Sequence, residues 1–147
     1  MQYSEGRLGR IFTLRLEDGE RLPDVLEAFA REQGLQGALV FFLGGAQHGS
    51  RVVVGPEAGR ETVVPLIHVL QGIQEVLAVG TIFPNEEGQP VMHLHAASGR
   101  EGGATVGCTR AGVEVWLVGE VVILEILGTS GQRLKDPGTG FELLQFA

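Results

Sequence analysis

Glycine supplies 23 of the 147 residues, about twice the usual share of roughly 7%, and the positions follow no period. There are only 6 prolines and the chain is 44% hydrophobic, so neither a collagen-like repeat nor a flexible linker fits. Glycines scattered through an apolar chain instead predict many tight turns and close backbone approaches. A chain of this length holds one domain. We place it at residues 9–147, with residues 1–8 as an N-terminal segment.

Other compositional facts narrow the function. A formal charge of −7 disfavours a general nucleic-acid binder, which neutralises phosphates with a basic stripe. Cys108 is the one cysteine, which excludes a disulfide scaffold and fits a cytoplasmic location. The start, Met1 to Arg7, lacks the basic-then-apolar pattern of a signal peptide. The longest apolar run, Val113 to Leu127, is broken by Glu114, Glu120 and Glu125, too short and too charged to cross a membrane.

Phe12, Leu14 and Leu16 alternate with Thr13 and Arg15, which predicts a half-buried strand ending at Asp18-Gly19. A helix follows. Pro23 suits its first turn, Leu22, Val25, Leu26, Phe29 and Ala30 share one face, and Gly34 is placed as the C-terminal cap. From Ala38 onward the pattern is strand after strand: Ala38–Leu43, Arg51–Val54, Leu66–Leu70, Ile73–Phe83, Val91–Ala97, Ala104–Arg110 and Val113–Leu127, with Phe141–Phe146 as a last candidate. The expected class is α+β, a mainly antiparallel curved sheet of about seven strands with one principal helix. One helix covers only one side of so apolar a sheet, so a subunit interface is expected on the other.

The richest chemistry lies in Val91 to Ala97. Side chains alternate on a strand, so His93 and His95 share a face opposite Met92, Leu94 and Ala96. Residues two apart stand about 6.5–7 Å apart at Cα, which lets two imidazoles converge on one ion at the roughly 2.0–2.1 Å of a Zn–N bond. A symmetric hairpin through Ser98–Gly103 pairs His93 with Cys108 and sets the thiol beside the histidines. Two readings of the pair stand: ligands for zinc or another divalent transition metal, or polar groups lining a subunit pocket. Cys108 is either the third ligand or an inert buried thiol. A two-residue turn at Ala111-Gly112 pairs Cys108 with Val115 and sends Glu120 to the opposite face. His68 reads as a half-exposed strand histidine, and Glu75 shares the histidine face but lies too far along its strand. Arg100, in the loop after the histidine strand, is a candidate anion holder. No phosphate-binding loop, nucleophile elbow, His-Glu-x-x-His helix or Asp-rich calcium loop is present.

His93-Leu94-His95-Ala96-Ala97-Ser98-Gly99-Arg100, Thr105-Val106-Gly107-Cys108 and Val115 to Val122 resemble the plant-and-prokaryote-conserved domain, as do Gly80 to Pro84 and Thr139 to Leu144. The resemblance covers roughly Gly9 to Phe146. It implies an antiparallel α+β domain assembled as a homotrimer, with metal bound through the His-x-His strand in some members. Many of those carry a third histidine after a Gly-Gly; here the segment is Gly107-Cys108-Thr109, so either Cys108 substitutes or the site is incomplete. Plant members attach an AT-hook, but this chain has no Arg-Gly-Arg-Pro sequence. The expected function is a non-enzymatic trimeric regulatory module with a candidate metal site, meeting DNA only through a transcription-related protein partner. The alternative is a zinc-dependent small-molecule enzyme or sensor using His93 and His95.

Overall fold

The computed structural model describes residues 1–59 and 63–146. Eight strands follow one another in space within a nine-stranded antiparallel sheet. In spatial order they are β1 (Arg7–Glu17), β9 (Val113–Leu127), β3 (Ala38–Ala46), β6 (Gln74–Pro84), β7 (Pro90–Arg100), β8 (Gly103–Cys108), β4 (Arg51–Pro56) and β5 (Pro65–Val69). The ninth, β2 (Arg21–Leu22), pairs with β9. β10 (Gly131–Lys135) and β11 (Glu142–Phe146) form a separate hairpin. The α+β class and the antiparallel sheet stand as expected. The strand number does not, because the two-residue β2 and the β10 strand carry no alternation long enough to read.

Helix α1 (Asp24–Gln33) occupies the predicted segment. Asp24 and Glu27 sit in its first turn and Arg31 in its last, each favourable to the helix dipole. Gly34 ends it at φ 65°, a left-handed conformation that glycine adopts without strain. Leu22, Leu26 and Ala30 are fully buried against the inner face of the sheet, with Val40, Phe42, Ile82, Leu94 and Ile123. The outer face keeps its apolar side chains in solvent: Phe41, Leu43, Leu77, Val79 and Val106 are all more than two-fifths exposed. One helix covers one face, and the other stays open.

Register is where expectation and structure part. Glu101 (φ 53°) and Gly102 (φ 82°) form a tight two-residue turn, so β7 and β8 pair Arg100 with Gly103 and His95 with Cys108. The expected hairpin had the longer loop and paired His93 with Cys108. The slip is two residues, and side chains alternate with period two, so Cys108 keeps its face. The β8–β9 hairpin is wrong. Thr109–Ala111 form a short 3₁₀ turn, and β9 crosses to pair with β3 and β1. Cys108 therefore pairs with Val53 of β4 rather than Val115, and Glu120 is exposed between Arg15 and Leu43.

Glu125 of β9 is buried, and Arg10 reaches it with Nε at 2.8 Å and Nη2 at 2.7 Å. The side-chain and backbone hydrogen bonds from Arg10 hold the Glu125 carboxyl down at about 2. A carboxyl depressed below its unfolded value near 4.3 stabilises the fold above that pH, and the contribution fades as pH falls toward the folded value. Glu125→Gln is thus expected to lower the melting temperature by a few degrees at pH 7. The gap to wild type should close between about pH 4 and pH 2 in calorimetric scans; a gap independent of pH would contradict this.

Candidate metal centre

The site forms where three neighbouring strands put one side chain each, or two, on the outer face. His95 pairs with Val79 on one side and Cys108 on the other, and His93 pairs with Thr81. Inward residues Met92, Leu94, Ala96 and Ser98 anchor β7 in the core, which fixes the histidines outward. Their Nε2 atoms approach to 3.0 Å with the rings nearly perpendicular. Cys108 is buried beside them, and the donor atoms of all three residues lie within 4.8 Å of one another.

This donor set suits a metal ion. Tetrahedral bonds of about 2.05 Å to nitrogen and 2.3 Å to sulfur put N···N near 3.3 Å and N···S near 3.6 Å. The imidazoles already meet the first spacing within a few tenths of an ångström, and with all donors within 4.8 Å the second is closed by a shift of no more than about 1.2 Å. Burial, followed by the charges of Arg133 and Arg110, lowers the His93 pKa. For His95 the causes are burial, then His93 and Arg110. Both rings are held toward the neutral form in which imidazole donates a lone pair. Thr109 does not join them: its hydroxyl donates to the Leu94 carbonyl at 3.3 Å, buried in the core. Of the two alternatives left open by Gly107-Cys108-Thr109, the geometry brings Cys108 to the histidines.

The other candidates lie elsewhere. Arg100 sits five residues beyond His95 and, by strand alternation, on the other face; its guanidinium donates to the Ile73 carbonyl at 2.9 Å and meets Glu101 at 3.0 Å. His68 and Glu75 are exposed and outside the cluster. Sequence reasoning missed Arg110, whose Nε donates to Cys108 Sγ at 3.1 Å, and Arg133, whose Nη2 donates to Thr81 Oγ1 at 2.9 Å. Arg110 stands two residues from the thiol and was open to notice. Arg133 comes from the separate hairpin, and no local signal leads to it.

The profile of the Plants and Prokaryotes Conserved (PCC) domain matches residues 3–127. The chain belongs to this family. Its fold is similar to that of a plant- and prokaryote-conserved protein from Pyrococcus horikoshii, with a TM-score of 0.85 and 23% identity over 100% of this chain and 99% of that one. A metal-containing protein from Archaeoglobus fulgidus is also similar, with a TM-score of 0.83 and 25% identity over 99% of each chain. Among curated proteins, the bifunctional protein GlmU of Synechococcus sp. (strain JA-3-3Ab) is 28% identical over 134 residues. That match spans 90% of this chain but only 20% of the longer protein. Among the described residues of this family member, no helix is long and apolar enough to cross a membrane.

Proposed function

We propose that this domain is a metal-binding, self-associating module: a homotrimer that holds a divalent transition metal through His93, His95 and Cys108 and acts in regulation through protein partners. The observation that carries the metal reading is the convergence of two imidazoles and a thiol within 4.8 Å. Mixed nitrogen and sulfur donors favour zinc among the common ions. The similarity to a metal-containing protein from Archaeoglobus fulgidus supports the same reading. Self-association draws its support from the open apolar face around Leu77 and Val79. The charge of −7 argues that any link to DNA runs through a partner. The single unpaired cysteine suits a reducing compartment such as the cytoplasm.

When bound, zinc with three protein donors supplies a Lewis-acidic position for a fourth ligand. The chain's own residues set what surrounds it. Arg110 holds the Cys108 sulfur in place through its Nε donor, while Thr81 and Val79 fix the strand that carries the histidines. A second reading, a zinc-dependent small-molecule enzyme or sensor, is favoured by the cavities onto which the three donors open.

Metal analysis of protein purified without added metal tests the first claim, with about one equivalent per chain expected. Less than about a tenth of an equivalent removes it. Light scattering tests the second: a particle of about three times the 15.7 kDa chain mass is expected, and a monomer contradicts it.

A further inference from the structure

Two guanidiniums and two carboxylates line the cavity beside His93, and among the described residues no guanidinium of this group is ion-paired with either carboxylate. Arg133 is buried, and among the described residues its Nε has no hydrogen-bond partner and its one side-chain hydrogen bond runs to Thr81, the residue paired with His93. Arg110 is spent on the Cys108 sulfur beside His95 and lies 5.5 Å over the Phe141 ring. Among the described residues neither guanidinium has a carboxylate within ion-pair distance. Two cations thus stand near the donors, and both line the cavity that His93 enters. A buried cation with no paired counter-charge is costly, and a divalent ion nearby adds to the local positive charge.

Two cavities meet here. One of about 180 Å³ is mixed in character and carries the charged groups Arg110, Arg133, Glu27 and Glu142 beside His93. Glu27 is already committed to the Met92 amide at 2.8 Å, and Glu142 is exposed and acts on Arg133 electrostatically without forming an ion pair with it. The other, about 300 Å³, is largely apolar, walled by Val53, Val54, Val106 and Phe141 with His95 and Cys108 at its edge. Arg110 lines both. An apolar cavity with a few convergent polar groups is the usual form of a small-molecule site.

We infer that the two cavities form one site for a small organic acid, whose carboxylate lies between Arg110 and Arg133 and whose apolar body fills the Val53–Phe141 cavity. The arginines define this site with or without the ion. The ion's contribution to anion binding rests on the metal reading above. A guanidinium pair recognises a carboxylate through charge-assisted hydrogen bonds that an amide cannot replace.

Titration calorimetry of the full chain with phenylacetate and with phenylacetamide, metal content measured in each sample, tests the assignment. Phenylacetate is expected to bind with Kd below about 1 mM, and the amide at least about tenfold more weakly. Arg133→Gln should weaken phenylacetate by about tenfold or more at unchanged metal content; Arg110→Gln, which also removes the hydrogen bond to the Cys108 sulfur, should weaken it by a similar factor when samples of equal metal content are compared. If the Arg133 variant fails to fold, the acid–amide pair on wild type and the Arg110 variant decide. Equal binding of acid and amide, unchanged affinity in a folded arginine variant, or no binding by a metal-loaded chain each overturns the inference. So does inorganic phosphate binding where phenylacetate does not, which would make the apolar cavity irrelevant. A chain purified without added metal that binds phenylacetate supports this inference whatever its metal content, and that content alone, below about a tenth of an equivalent, overturns the metal reading.

Discussion

His93→Ala combined with His95→Ala is expected to take the bound metal from about one equivalent per chain to below about a tenth, because a lone thiol is left. The loss should occur without unfolding. His95 is exposed, His93 is half-buried, and neither fills the core on the inner face of the sheet, so the stability change should stay near 1 kcal/mol or less. Cys108→Ser tests the third donor separately. It leaves both imidazoles and a poorer oxygen ligand, and the affinity should fall at least about tenfold while some metal is retained. Competition against a colorimetric zinc chelator, with circular dichroism on the same samples, separates these cases. Metal retained at the wild-type level by the double variant would show that the ion sits elsewhere.

The second large effect is predicted at Gly80, which pairs with Leu94 beside the histidine strand. A Cβ there would overlap the His93 carbonyl oxygen and lie 2.5 Å from Leu94 Cα. Both are backbone atoms of the adjoining strand and cannot rotate away, so β6 and β7 must separate. Gly80→Ala is expected to cost more than about 3 kcal/mol, a large part of the roughly 5–15 kcal/mol that holds a domain together. Since β7 carries both imidazoles, any folded fraction should also bind metal more weakly. Gly103→Ala is the control: its nearest neighbour, the Arg100 carbonyl, lies 3.6 Å from the added carbon, and the change should stay within about 1 kcal/mol. Thermal melts that place the two variants together would refute the close-approach argument.

Much of this architecture is legible in the residues because it rests on local periodicity. Leu26 and Ala30 mark the buried face of α1, Gly34 marks its end, and the alternation around His93 and His95 sets their common face, whereas Leu22, expected on the helix, is buried from the preceding strand β2. Long-range pairing is less legible. Ala111-Gly112 has the composition of a two-residue hairpin turn, yet the chain makes a 3₁₀ turn there and carries β9 away to β3 and β1. Nothing local distinguishes the two outcomes, because the choice depends on which strands β9 can cover. The thiol was placed on the right face through the wrong partner, an error of even length that parity forgives. Arg133 could not be assigned at all, since its proximity to His93 depends on the docking of a hairpin that starts beyond residue 127.

That hairpin divides the work of the site between two parts of the chain. The donors His93, His95 and Cys108 lie within residues 3–127, the part that the family profile matches, whereas Arg133 and Phe141 follow it. Variation in the final twenty or so residues can therefore remodel the walls of the cavity without moving the donors. A change of ligand can then come from the C-terminal hairpin alone, with the sheet and its donors left in place.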